Sequence, residues 1–190
     1  MALVGVLSAA CVAQEVGQPS GTSGSPKTGS SSASSAPSSS AMPPRPKEIK
    51  LEGVDPCKLW TPDQMAQLGV VKGERNDSNV VNTGKVPICD YTGDLTTNYG
   101  LGAIATQGVE YWTGTGNTDV SVIDVAGFGA KQISLSGVDE DCAVAVDVAE
   151  GQQLYVDFIP IGSKKPAKDV MCQNVKKGAE LALATLQTLK

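Results

Sequence analysis

The chain contains no histidine. That absence removes the usual Ser-His-Asp and Cys-His nucleophilic sites, in which an imidazole takes the nucleophile's proton. It also removes the commonest ligand of a catalytic zinc ion. Any acid–base chemistry falls to carboxylates, Lys or Tyr. Aromatic residues are scarce, 4% of 190, so the core must rest on the Val, Ile, Leu and Ala of a 41% apolar fraction. Positive charge is in short supply too. Lys and Arg number 15 against 20 Asp and Glu, a net charge of −5. Such a chain lacks the concentrated basic surface that nucleic acid requires, and it has no electrostatic attraction to anionic head groups. Long apolar runs are missing as well. Nothing approaches the roughly 18–20 consecutive apolar residues of a spanning helix, so membrane association must come by another route.

That route is suggested by the first residues. Ala2 to Ala10 form a short apolar run, and Cys11 follows at once. Leu7-Ser8-Ala9-Ala10-Cys11 resembles the lipobox of bacterial lipoproteins. The resemblance implies cleavage before Cys11, a diacylglycerol on its thiol and acylation of the new amine by chains such as palmitate. Several acyl chains on one residue anchor stably, where one would be marginal. The sequence departs from the pattern at Ser8, where Leu is usual, with Leu7 one place back. A signal peptide also begins with a basic segment, yet the first charge here is Glu15. The expectation is that residues 1–10 are the remnant of a signal peptide whose start lies upstream of Met1.

A linker is expected over residues 11–47, and within it, from about Gln14 to Pro46, the composition collapses to Ser, Gly, Pro, Thr and Ala. A stretch with so little to bury cannot offset its ordering entropy. It reads as a disordered tether, about 33 coil residues spanning roughly 30 Å.

The globular domain is expected over residues 48–190. Thr61-Pro62-Asp63-Gln64 has the signature of a helix start, with Thr as N-cap, Pro at the first position and Gln at the capping-box position. Gly69 ends that short helix. Residues 70–85 are polar and read as loop. Strands are expected at Val86–Thr92, Tyr99–Thr106, Val120–Val125, Lys131–Leu135, Cys142–Val148 and Leu154–Ile159. The last two form a hairpin about Glu150-Gly151-Gln152, and Gly93 to Asn98 is a hairpin-like connection. A long helix from about Ala167 to Leu189 carries Cys172, Val175, Ala179, Ala182, Leu183 and Leu186 on one side. The fold class is therefore α+β: an antiparallel sheet of about five strands, with a short N-terminal helix and a long C-terminal helix packed on one face.

Setting Cys11 aside leaves Cys57, Cys89, Cys142 and Cys172. An even number in an exported chain suggests two disulfides, with three connectivities open. Cys57–Cys89 with Cys142–Cys172 is preferred, because each bond would staple a helix to the sheet. No two of the four lie close enough for a zinc pair or a Cys-x-x-Cys redox motif. No metal and no cofactor are expected.

These features together resemble actinobacterial envelope lipoproteins of domain-of-unknown-function family 3558. The resemblance is carried by Asp55-Pro56-Cys57 before a helix ending in Leu68-Gly69, by Cys89, by Cys142-Ala-Val-Ala-Val-Asp147 and by Asp169-Val-Met-Cys172 opening an Ala/Leu-rich helix. Members often show Cys-x-Trp at the second cysteine; here it is Cys89-Asp90-Tyr91. The resemblance implies a surface-tethered α+β domain with two disulfides, and it transfers no catalytic residue.

Gly100-Leu-Gly102-Ala-Ile-Ala105 has the spelling of a dinucleotide loop but sits in a strand-like run with no helix after it, so its glycines read as a bulge or close backbone approach. Gly114-Thr-Gly116-Asn117 lacks the Lys-[Ser/Thr] of a phosphate loop, and Asp139-Glu140-Asp141 reads as a solvated turn. Paired carboxylates for hydrolysis would have to come from Asp90, Asp94, Asp119, Asp124 and Asp147, none of which stands out. Trp60 reads as core. Tyr111 and Trp112, in a polar segment of ambiguous structure, are the candidate recognition residues. The expected function is a non-catalytic binding or protein-interaction module on the extracytoplasmic face of the cell membrane, anchored through lipid on Cys11. Its partner is an envelope protein or ligand. A carboxylate-dependent envelope hydrolase and a carrier of an apolar ligand are the alternatives.

Overall fold

The computed structural model describes residues 41–93, 97–162 and 165–189. Cys11, the Ser-rich stretch up to residue 40 and the centre of the connection after Gly93 lie outside the described residues. In chain order the elements are a 3₁₀ turn at Pro56–Lys58, α1 (Pro62–Gln67), β1 (Val70–Ser78), β2 (Val86–Gly93) and β3 (Thr97–Ile104). A second 3₁₀ turn at Val109–Tyr111 is followed by β4 (Thr118–Val125), β5 (Phe128–Leu135), β6 (Cys142–Ala149), β7 (Gln152–Pro160) and α2 (Lys168–Leu186). The strands form one sheet in the order β1-β2-β3-β7-β6-β5-β4, antiparallel throughout.

The sheet has seven strands rather than about five. The six expected segments all form strands, and the seventh is β1, whose residues read as loop. Only Val70 of its nine residues is buried. As an edge strand it pairs with β2 alone and is wet on both sides, so it carries no alternation to detect. Its charged side chains also protect an open edge from pairing with other chains. The β5 strand likewise begins earlier than expected, at Phe128, because Ala126 (φ 50) and Gly127 (φ 86) make a tight turn from β4.

Short-range signals decide the helices. Thr61 Oγ1 accepts from Gln64 N at 3.3 Å, and Gln64 Oε1 accepts from Thr61 N at 2.8 Å, a reciprocal cap for α1. Gly69, at φ +70, then turns the chain into β1. In α2 the expected stripe is buried in full, from Cys172 to Leu186, and Met171 joins it.

Strand alternation gives the sheet two unlike faces. On the helix face, Leu101, Val144, Val156 and Phe158 meet α2 in one large cluster. Trp60 lies among them, with its ring 4.5 Å from Tyr91 and 5.4 Å from Tyr99. Its indole N–H donates to the Gly178 carbonyl at 3.0 Å, and a Cβ on Gly178 would lie 3.0 Å from the ring. The glycine is what lets the tryptophan reach α2. Both disulfides belong to this side: Cys57–Cys89 ties the entrance of the domain to β2, and Cys142–Cys172 ties β6 to α2. The pairing preferred from the sequence is the one formed.

Among the described residues, no α-helix packs on the opposite face. A smaller cluster, with Ile88, Ile104, Ile133, Ala145 and Tyr155, is covered by connections instead. The main one follows from topology. Strand β3 is central and β4 is the far edge, so residues 105–117 must cross β7, β6 and β5 to reach it.

Candidate functional site

The crossing connection is held down by Gln153, with Lys131 and Tyr155 beside it. Gln153 on β7 is fully buried. Its Oε1 accepts from Trp112 Nε1 at 2.7 Å, and its Nε2 donates to the carbonyls of Gln107 (3.0 Å) and Gly108 (3.2 Å). All of its polar capacity goes to the connection, so its burial costs little. Lys131 Nζ donates to the Trp112 carbonyl. The Trp112 ring stacks on Tyr155, with centroids 5.8 Å apart and planes 16° from parallel. Tyr111 meets Trp112 edge to face at 4.8 Å.

Tyr111 and Trp112 therefore stand together, each half-buried, on a segment fixed from below. With Thr113, Thr115 and Thr118 they line a surface cavity of about 240 Å³. The hydroxyls of Thr113 and Thr115 lie 2.8 Å apart, and Thr118 Oγ1 donates to the Thr115 carbonyl at 3.0 Å. Gly114 and Gly116, at φ +71 and +74, make the turns that bring the three threonines to one rim. Among the described residues, no charged side chain lines this cavity.

A second site lies on the same face, under the same tyrosine. Asp90 on β2, Gly100 on β3 and Asp157 on β7 are in register across three neighbouring strands. The glycine leaves a gap between two carboxylates. Asp157 Oδ1 fills it, accepting from Gly100 N at 2.7 Å; a Cβ on Gly100 would lie 2.2 Å from that oxygen. The Tyr155 hydroxyl donates to the Asp157 carboxylate, which helps hold its own pKa well above the ordinary value, after burial. Burial pushes the Asp157 carboxyl up to about 6; the Gly100 amide opposes the shift and the charge of Asp90 adds to it. Asp90 in turn accepts from Asn76 Nδ2 at 2.8 Å. The cavity here is about 130 Å³.

The other carboxylates weighed from the sequence are dispersed. Asp94 lies outside the described residues. Asp119 and Asp124 sit on the exposed edge strand β4, where Asp119 accepts from Ser136 Oγ at 2.9 Å. Asp147 pairs with Arg45 at 3.3 Å, and burial raises its pKa against that partner. In the acidic turn, the Asp141 carboxylate caps Leu135 N at 3.1 and 3.0 Å, and Glu140 pairs with Lys165. Asp157 itself was missed. It sits in the strand Leu154–Ile159, and its interruption of an apolar run was the available signal. An apolar carrier would need a deep apolar pocket between helix and sheet. Under α2, Met171, Val175, Leu183 and Val156 are fully buried in one cluster, and the apolar cavity of about 580 Å³ lined by Pro62, Met65, Ala66, Gly69, Val70 and Val71 is a surface one between α1 and β1. Among the described residues, no group of three Cys, Asp or Glu is placed to hold a metal ion, and no helix is long and apolar enough to cross a membrane.

Comparison with curated proteins and with solved structures returns no match. A family model does match, over residues 6–185, and its description is "Protein of unknown function (DUF3558)". That span covers nearly the whole chain, from the apolar start through all four paired cysteines into α2, and on it the chain belongs to the DUF3558 family.

Proposed function

We propose that the protein is a lipoprotein held on the extracytoplasmic face of the cell membrane by lipid on Cys11, and that its domain is a non-catalytic binding module. Its recognition site is the Tyr111–Trp112 cavity. One observation carries this reading: the distribution of a scarce resource. Of eight aromatic residues, five lie in the cluster under the helices, and Tyr155 supports the other two. Tyr111 and Trp112 remain half-buried around a cavity, on a connection immobilised before any ligand arrives. A rigid, partly apolar platform of this kind binds with little ordering cost.

The test is crosslinking in cells with mass spectrometry of what copurifies. Capture that depends on Tyr111 supports the module, and capture unchanged by Tyr111→Ala removes the site. The anchor is tested separately. Cys11→Ala should move the protein from the membrane to the soluble fraction and abolish incorporation of labelled palmitate.

The carboxylate-dependent hydrolase is the second reading, favoured by Asp157 and Asp90 flanking Gly100 with one carboxyl raised to about 6. Turnover of a cell-wall or lipid substrate by the purified protein, lost in Asp157→Asn, would replace the binding-module reading with this one.

A further inference from the structure

We infer that the Tyr111–Trp112 cavity binds a neutral sugar ring of an oligosaccharide. The inference rests on this cavity being the recognition site and adds the ligand's chemistry. A pyranose has an apolar C–H face and a periphery of hydroxyls, each both donor and acceptor. The cavity offers both complements. Tyr111 and Trp112 supply aromatic surface, whose negative π-faces attract the weakly positive C–H edge of a sugar. Thr113, Thr115 and Thr118 supply three hydroxyl oxygens that can accept from the ligand, and one hydrogen of the Thr113–Thr115 pair is left to donate.

What lines the cavity also argues against charged ligands. Among the described residues, no cationic side chain faces into it to hold a phosphate or carboxylate, and no anionic one to hold an ammonium group. Charged groups adjoining the lining residues are engaged elsewhere: Lys131 on the Trp112 carbonyl, Glu110 on Gln107 Nε2 at 3.0 Å and Gly108 N at 3.1 Å, and Asp119 on Ser136 Oγ at 2.9 Å. The chain's net charge of −5 further disfavours anionic polymers. At about 240 Å³ the cavity is smaller than the roughly 300–1,000 Å³ of a drug-sized site, which suits one ring of a longer chain. The platform is also preorganised. Trp112 is fixed by stacking on Tyr155, by its indole bond to Gln153 and by its carbonyl bond to Lys131.

The chain contains two tryptophans, and this supplies an internal control. The Trp60 indole N–H is buried on the helix face and bound to Gly178, while that of Trp112 lies behind the cavity. The full chain is titrated with two probes, the β-1,4-linked tetramer of N-acetylglucosamine and an α-1,4-linked glucose tetramer, and both indole N–H resonances are followed. The expected result is a saturable shift of Trp112 with at least one probe while Trp60 stays fixed. Tyr111→Ala should weaken that binding about tenfold, the effect of losing one stacking partner. Thr115→Val, at an exposed position where folding is not at risk, should weaken it about threefold by removing one hydroxyl. The Trp60 resonance reports that each variant is folded. A Trp112 resonance that neither sugar moves at tens of millimolar, or binding indifferent to both variants, overturns the inference. In-cell capture separates the two levels. Silent sugars with Tyr111-dependent capture of a protein remove the ligand class and keep the binding site, and silent sugars with Tyr111-independent capture remove both.

Discussion

The two faces of the sheet are built from the same strands, residue by alternate residue, yet they are held by different means. The helix face is covered by α2, contains five aromatic rings and carries both disulfides. Its stability comes from buried area and crosslinks, neither of which depends on the precise geometry of any one polar group. The opposite face has a smaller apolar cluster and is covered by a connection pinned through the side chain of Gln153. Its order depends on a few directional bonds. The face that keeps the domain folded can change little without unfolding it; the other carries half-buried aromatics and a carboxylate whose burial is unfavourable. Stability on one side leaves the other free to hold surfaces that do not favour folding.

The largest test of that contrast is to cut the helix face loose. Replacing Cys142 and Cys172 by Ser removes a crosslink between residues 30 apart, and the chain-entropy estimate puts the loss at about 3–4 kcal/mol. Urea unfolding of the variant should show a lower midpoint, with the Trp112 indole resonance unchanged below the transition. A Trp112 signal that broadens before unfolding would mean that the two faces are one cooperative unit.

The converse test loosens only the opposite face. Gln153→Leu leaves the Trp112 N–H and the carbonyls of Gln107 and Gly108 without their partner, at about 2–3 kcal/mol. Amide exchange over residues 107–113 should accelerate well before that of α2. Equal acceleration in both would refute separate support.

The helix face was largely readable from sequence because its determinants are local or periodic. The Thr61–Gln64 cap, the Cys172-to-Leu186 stripe and the four cysteines all announce themselves within a few residues or by repeat. The opposite face was not. Strand β1 exists because its backbone pairs with β2, and no burial pattern marks it. Tyr111 and Trp112 were visible only as aromatics in a polar stretch; their cavity depends on β3 and β4 lying on opposite sides of β7. Gly100 announced a close approach, but what approaches is Asp157, 57 residues away. Register between distant strands is a global property, and it brought the two together.

The smallest predicted effect is the one specific to that register. Asp157 has a folded-state pKa of about 6 against an ordinary 3.8. A raised carboxyl pKa means that the fold holds this proton more tightly than the unfolded chain does. Below about pH 4 both states are protonated and nothing is lost. As pH rises from 4 through 6 the unfolded chain ionises first, and the fold loses stability; above 6 the loss is complete. The shift alone would give about 3 kcal/mol. Asp157 keeps some contact with solvent at the cavity mouth, so about 1–2 kcal/mol is expected. Asp157→Asn keeps a carbonyl oxygen for the Gly100 amide and cannot ionise. Urea unfolding of both proteins at pH 4, 5, 6 and 7 isolates the effect of Asp157 and its coupling to Asp90, because titrating groups not coupled to Asp157 contribute equally to each. The variant should gain on the natural protein by about 1–2 kcal/mol between pH 4 and 7, with most of the change before pH 6. A difference that stays flat would mean that Asp157 is charged without cost, and that a solvated surface closer to that of β1 borders the site.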